Sequence, residues 1–405
     1  LHSLGVVTAI LDWLDSLPKT VMDARPWLWV RSATSTLMAG RTTGVEEKLQ
    51  AAEKAMPEGA PDDQTRDLIG QIAAIRATLA VVRYQPEAAM LEARRALEHL
   101  HADNVPFRSR ATCALGTACQ LQGDRSAARR AYVEALAIAQ AGGSLYYMVM
   151  ALTNLGRIQE VENQLQQAAE TYRRSLQLLS DQGPPNANEE YIGLARLAYE
   201  WNDLDAAEQH GQRSLQLARQ YDPTVDRFIL SEVLLARVKL ARGEIAAAAA
   251  MLAETERTVR RNNYVQRLPD VAAAQVLVLL RQGNVAAAAR LAQAHNLPLS
   301  QARVFLAQGQ PAAALAVLEP QRQQAEARNW QDERLKVLVL QARAHQAAGD
   351  DVQAVRILGE ALALAEPSGF IRLFVDEGPP MAELLAKMKA ESGRMQAYIG
   401  NLLAA

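Results

Sequence analysis

Small and apolar residues recur at helical spacing along this chain, and a turn residue breaks the run about every 40 positions. The breaks fall at Gly40, Tyr84, Gly123, Asn163, Asn202, Gly243, Gly283, Gly309 and Gly349. Their successive gaps are 44, 39, 40, 39, 41, 40, 26 and 40 residues. A period of this length predicts stacked helical hairpins, each resting on its neighbours, rather than one central core. The fifth residue after each break is Ala89, Ala128, Ala168, Ala207, Ala248, Ala288, Ala314 and Ala354, with Val45 in the first repeat alone. A methyl group there lets the two helices of a hairpin approach to roughly 8–10 Å between axes.

The 26-residue step is the clearest irregularity. His295 to Pro298 interrupts two short helices there, and Pro298 suits the first turn of a helix running from Leu299 to Gln308. At the front, Val6 to Leu17 reads as an amphipathic helix ending before Pro18, with Trp13, Leu14 and Leu17 on one face. Pro26 opens the first repeat helix, which carries Trp27 and Trp29. The three tryptophans read as the apolar seal of the first turn of the array, with a ligand cage as the alternative. At the far end, Ala365 to Gly369 stops the last repeat helix. The segment Phe370 to Met381 departs from the repeat pattern, and a final helix follows from Met381 to about Lys389. End repeats must be covered, so this segment is expected to cap the last hairpin. The expected organisation is therefore an opening helix and linker over 1–25, a repeat array over 26–365, and a cap segment with its helix over 366–405.

Within the array, the stretch from Val149 to Leu179 carries Leu155 and Gly156 on a first helix, Asn163 and Gln164 at the turn, and Ala168, Tyr172, Ser175 and Leu176 on a second. The preceding repeat offers Leu115, Gly116, Gly123, Ala128, Tyr132, Ala135 and Leu136. The following one offers Leu194, Ala195, Asn202, Ala207, Ser214 and Leu215, with Gly211 in the aromatic position and looser packing expected there. This pattern resembles the tetratricopeptide repeat. The expected fold class is all-α, a right-handed superhelical solenoid of about nine such hairpins.

Composition narrows the function. The 405-residue chain exceeds the size at which one core keeps growing, a limit that a solenoid escapes. Net charge is −2, from 43 basic and 45 acidic residues, so no basic excess marks a nucleic-acid surface. No apolar run reaches the ~18–20 residues that span a bilayer. Cys113 and Cys119, six apart on one predicted helix, read as reduced core thiols of a cytoplasmic protein. The histidines are scattered, and no phosphate-binding Gly-rich loop with a Gly-Lys pair is present. Neither catalysis nor a metal or cofactor is expected. The chain lacks an initiator Met and reads as part of something larger.

Both ends carry a further resemblance. The segment GFIRLFVDEGPPMAELL, Gly369 to Leu385, and the pair WLDSLP (Trp13 to Pro18) and RPWLWVRSA (Arg25 to Ala33) resemble the sensor region of MalT-like, ATP-dependent LuxR-type transcription regulators. The resemblance implies a parent with a signalling NTPase module before this region and a helix-turn-helix module after it. It also implies that the array receives an inducer, a small molecule or a regulatory protein, in its concave groove and promotes self-association of the parent. The competing reading is a free-standing tetratricopeptide adaptor that binds a peptide or protein partner.

First helices of tetratricopeptide hairpins line the concave side. The position two past the Leu of the Leu-Gly pair faces that groove, and its occupants are Thr117, Arg157, Arg196, Arg237 and Leu277, with Arg343 later. Three successive arginines form a candidate anion-binding stripe, since the guanidinium fork matches carboxylate or phosphate. The alternative is local helix pairing, because Arg157 has Glu160 at i+3 and Arg196 has Glu200 at i+4. Arg237 and Arg343 have no such acidic neighbour. Arg110, Gln120, Glu160, Tyr199 and Glu200 join the candidate ligand-binding set at helical spacing. Tyr146 and Tyr147 open a helix, where they either reach the mouth of the groove or pack.

Overall fold

The computed structural model of the chain describes residues 2–57, 59–180, 187–221, 226–391 and 395–405. All the turn residues read from the sequence adopt positive φ, from +55° at Tyr84 to +85° at Gly123. At Gly123 the reason is plain. Its N–H bonds to the Gln120 carbonyl at 3.0 Å, while the Asp124 N–H reaches back to Cys119 at 2.9 Å. This closure satisfies the last carbonyls of one helix and needs a left-handed residue at its centre. Asp124 then caps the next helix by accepting from the Ala127 N–H at 2.8 Å. Asp203, Asn284 and Asp350 do the same after Asn202, Gly283 and Gly349. A left-handed residue followed by a short polar cap thus ends one helix and starts the next within two positions.

The chain divides into two units. The first runs to Ile158 and takes in Gln177 to Ser180; the second comprises Gln159–Leu176 and the described residues from Ala187 onward. The first unit holds α1 (His2–Asp15), α2 (Lys19–Asp23), α3 (Pro26–Met38), α4 (Val45–Lys54), α5 (Asp63–Val82), α6 (Pro86–His99), α7 (Val105–Leu121) and α8 (Arg125–Ala141). Both α9 (Leu145–Val161) and α10 (Leu165–Ser180) carry the division. The second unit continues with α11 (Asn188–Glu200), α12 (Leu204–Tyr221), α13 (Arg227–Ala241), α14 (Ile245–Arg261), α15 (Leu268–Arg281) and α16 (Val285–Ala294). There follow α17 (Pro298–Ala307), α18 (Pro311–Ala327), α19 (Gln331–Ala347), α20 (Asp351–Ala365), α21 (Arg372–Val375), α22 (Pro379–Glu391) and α23 (Gln396–Ala404). No strand occurs among the described residues. The fold class is all-α, a solenoid of tetratricopeptide-like hairpins that pair α3 with α4, α5 with α6 and α7 with α8 in the first unit, and α11 with α12 through α19 with α20 in the second. No described helix is long and apolar enough to cross a membrane.

Packing follows the repeat logic. Val45 and every alanine of the column after the turns are 0% exposed. Tyr132 and Tyr172 fill the aromatic positions and lean on glycines. A Cβ at Gly116 would stand 2.7 Å from the Tyr132 ring, and one at Gly193 would stand 2.4 Å from the Tyr172 ring. The looser packing expected at Gly211 is not found. Leu235 of the following helix moves into the space, so that a Cβ at Gly211 would meet it at 3.0 Å. The short step yields the two ten-residue helices α16 and α17, with Pro298 at the start of the second.

The ends depart from expectation. Trp13 and Trp27 are 56% and 51% exposed, so they seal nothing. Leu14, Met22 and Leu28 close the first turn, with Leu17, Val21 and Trp29 beside them. Neighbouring helix positions point about 100° apart, so Leu14 faces the core while Trp13 does not. At the other end α22 is longer than the helix expected there, and α23 follows it. Leu384, Leu385, Ile399 and Leu402 of these two helices share a buried cluster with Leu358 and Leu362 of α20.

Candidate functional site

The segment Gly369 to Gly378 does not stay on the last hairpin. Phe374, 0% exposed, sits in one apolar cluster with Tyr172, Leu194 and Leu197 of the second unit's first helices and with Leu338 and Leu362 near its end. Main-chain bonds hold it there. The Ile371 N–H donates to the Glu200 carbonyl at 2.7 Å. Trp201 Nε1 donates to the Ser368 carbonyl at 2.9 Å, and the Ser368 hydroxyl donates to the Asn163 carbonyl. Glu200 ends α11, where carbonyls lack partners within the helix, so the segment satisfies a group that the helix itself leaves open. We call this segment the strap.

Past Phe374 the strap presents Asp376 and Glu377 to a ring of arginines. Asp376 Oδ2 accepts from the Tyr199 hydroxyl at 2.7 Å and from Arg237 at 3.3 Å, while Oδ1 accepts from Arg372. The Arg237 and Arg372 guanidinium carbons lie 4.5 and 5.5 Å from the Tyr199 ring centre. Arg303 donates to Glu377 Oε1 at 2.8 Å, and Arg343 lies 3.5 Å from Glu377 Oε2. Two arginines also take main-chain carbonyls: Arg281 that of Asp376 at 3.2 Å, and Arg343 that of Glu377. The Glu377 side chain is 5% exposed and that of Asp376 is 19% exposed. Carboxylates so far removed from water persist only when paired and hydrogen-bonded.

The electrostatics reflect this burial. Tyr199 is pushed up to about 12, chiefly by burial, with Arg237 opposing. The Glu200 carboxyl is pushed above the ordinary range by burial; Arg237 and the Leu373 N–H oppose the shift. Its Oε2 has no hydrogen-bond partner among the described residues. Arg343 is pushed below its usual value by burial, with Arg303 adding to the effect and Glu377 opposing it.

The candidate residues fall into three groups. Tyr199, Glu200, Arg237 and Arg343 meet at the strap. The second group is Glu160 and Arg196, joined by two bonds of 2.7 Å, with the Tyr172 hydroxyl also donating to Glu160. Arg196 therefore pairs with Glu160 rather than with Glu200 at i+4. The third group lies in the first unit. Gln120 Oε1 accepts from the Tyr132 hydroxyl at 3.2 Å, and that hydroxyl lies 3.0 Å from Thr117 Oγ1. Arg110 is buried over Phe107 at 5.8 Å, and Tyr147 is buried edge-on to Tyr146 at 5.0 Å. Arg157 is exposed on α9. Two open hollows, each of about 490 Å³, are lined by other residues, among them Leu252, Val278 and Leu291 in one and Trp27, Met56 and Leu68 in the other.

The groove positions that the repeat spacing names in the sequence do not include Arg281, Arg372 or the acidic pair, and the set above omits Arg303. Arg281 lies one helical turn past Leu277, the occupant of the groove position on α15. Arg303 stands six residues before the turn at Gly309, the offset that Arg237 has from Gly243 and Arg343 from Gly349, so the repeat spacing itself points to it. A further signal is the Asp-Glu pair in the segment that breaks the repeat pattern. Chemically, the arrangement grips a peptide segment by two carboxylates and two carbonyls.

Comparison with known proteins agrees with this architecture. The chain is 28% identical over 398 residues to the HTH-type transcriptional regulator MalT of Cronobacter sakazakii, covering 94% of this chain and 44% of the relative. The regulator of the same name from Serratia proteamaculans is 25% identical over 393 residues, covering 93% and 43%. The chain thus spans less than half the length of these relatives. Among solved structures, a Rap protein complexed with competence and sporulation factor matches with a TM-score of 0.67 at 11% identity, covering 85% of this chain and 99% of that one. The apo form of RapI matches with a TM-score of 0.52 at 11% identity, covering 67% and 94%. Residues 70–391 match the family described as the MalT-like TPR region, and the chain belongs to that family.

Proposed function

We propose that this chain is the signal-receiving region of a transcription regulator, reading an inducer on the faces of its first helices and passing that state to the rest of a longer, cytoplasmic parent. The observation that carries the reading is the strap, because the first-helix faces of the second unit already hold a charged chain segment through Tyr199, Arg237, Arg281, Arg303 and Arg343. The match of nearly all of this chain to part of two MalT regulators supports the same reading. In it, an NTPase module and a helix-turn-helix module belong to the parent, and inducer binding favours the parent's self-association. Arg110, Gln120, Tyr147 and Arg157 are the contacts proposed in the first unit. Glu160, Arg196, Tyr199, Glu200 and Arg237 are those proposed in the second.

Binding stabilises a native state by mass action, so thermal-shift screening of the 405-residue chain against small molecules and peptides is the direct test. A ligand that raises the melting temperature of the wild type should lose its effect in Arg110→Ala or in Arg237→Ala. A wild-type shift in both variants would remove the first-helix faces from the site.

A further inference from the structure

We infer that the arginine ring of the second unit is a recognition site for an acidic peptide, and that the strap is its resident, displaceable occupant. The ring reads peptide rather than a free dicarboxylate. Arg281 and Arg343 take the main-chain carbonyls of Asp376 and Glu377, contacts that a simple diacid does not offer. Arg237 and Arg303 take the two side-chain carboxylates, while Arg372, itself part of the strap, pairs with Asp376 within the segment. The site is built rather than incidental. The Nε atoms of Arg237 and Arg343 are buried and unpartnered among the described residues. The ring therefore holds more donors than the strap uses.

The strap has the form of an exchangeable segment. Gly369 and Gly378 bound it at φ +67° and +78°, left-handed conformations that glycine reaches and leaves without steric cost. Small residues at the ends of a moving segment are common hinge positions. Tethering gives the strap an effective concentration of about millimolar order, so a peptide arriving from outside must carry the same acidic pair and compete. This inference stands on the strap geometry alone and does not require the inducer reading.

The test uses the 405-residue chain and a fluorescent peptide with the sequence of residues 369–380. The double variant Asp376→Asn/Glu377→Gln weakens the resident strap while leaving Phe374 in place. Anisotropy should show the peptide binding this variant at least ~10-fold more tightly than the wild type, as loss of cis competition requires. A peptide carrying Asn-Gln for Asp-Glu should lose that binding. Equal affinity for wild type and variant, equal binding of the neutral peptide, or no binding to either protein would overturn the proposal. Hydrogen exchange on the wild-type chain tests it without any substitution. Saturating peptide should raise exchange across residues 370–378, and unchanged protection there also overturns it.

Discussion

Arg303 donates to the carboxylate of Glu377 at 2.8 Å across 74 residues of sequence, and the Glu377 side chain is nearly closed to water. One short helix of the array thereby anchors the strap at its far end. Removing the arginine leaves an acceptor buried without its donor, which costs about 1–3 kcal/mol and more when the group is charged. Arg303→Ala should therefore lower the urea midpoint of the chain, and Glu377→Gln should lower it less. The double variant should recover part of the loss. Strictly additive effects would mean that the pair does not interact in solution.

Glu200 supplies a pH signature. Its carboxyl is held above the ordinary range, mainly by burial, so the folded chain binds its proton more tightly than the unfolded chain does. The sign follows: below the unfolded value both states are protonated and nothing is lost, whereas stability falls as pH rises through the interval up to the folded value. Glu200→Gln keeps an acceptor for the Leu373 N–H and removes the titration. Its melting temperature should match the wild type near about pH 4 and exceed it near about pH 8. An offset that stays the same at both pH values would contradict this account.

Ala168 marks how tightly the helices approach. It is fully buried in one apolar cluster with Tyr172 and Leu197. Ala168→Leu should cost about 1–3 kcal/mol through overpacking, seen as a lower melting temperature. Substitution at the exposed Val352 is the matched control. A melting curve unchanged by the leucine would mean that the alanine column does not set the helix spacing.

The cysteines offer a chemical probe. Burial pushes the Cys113 thiol up to about 12, and Cys119 is shifted upward for the same reason, with Asp124 adding to it. The thiolate is the reactive form, so both should resist alkylation in the folded chain near neutral pH. They should label fully after denaturation. Fast labelling of Cys113 in the native protein would place it at a surface rather than inside the α7 hairpin.

Local chemistry determined the hairpins from the sequence alone. A left-handed turn residue, a polar cap directly after it, and a small residue five positions on each act within one or two helical turns, so a 40-residue period is enough to reveal them. The tertiary structure decided which side chains meet. Arg237 has no acidic residue three or four positions away on its helix, and its partner Asp376 lies 139 residues away. Trp13 and Leu14 are adjacent in the chain and differ only in which way the helix turns them. In a solenoid a small rotation from each hairpin to the next sets the curvature, and it has no local signature. Repeated over the second unit it brings the strap to Arg237, Arg303 and Arg343, a meeting that no local pattern in the sequence displays.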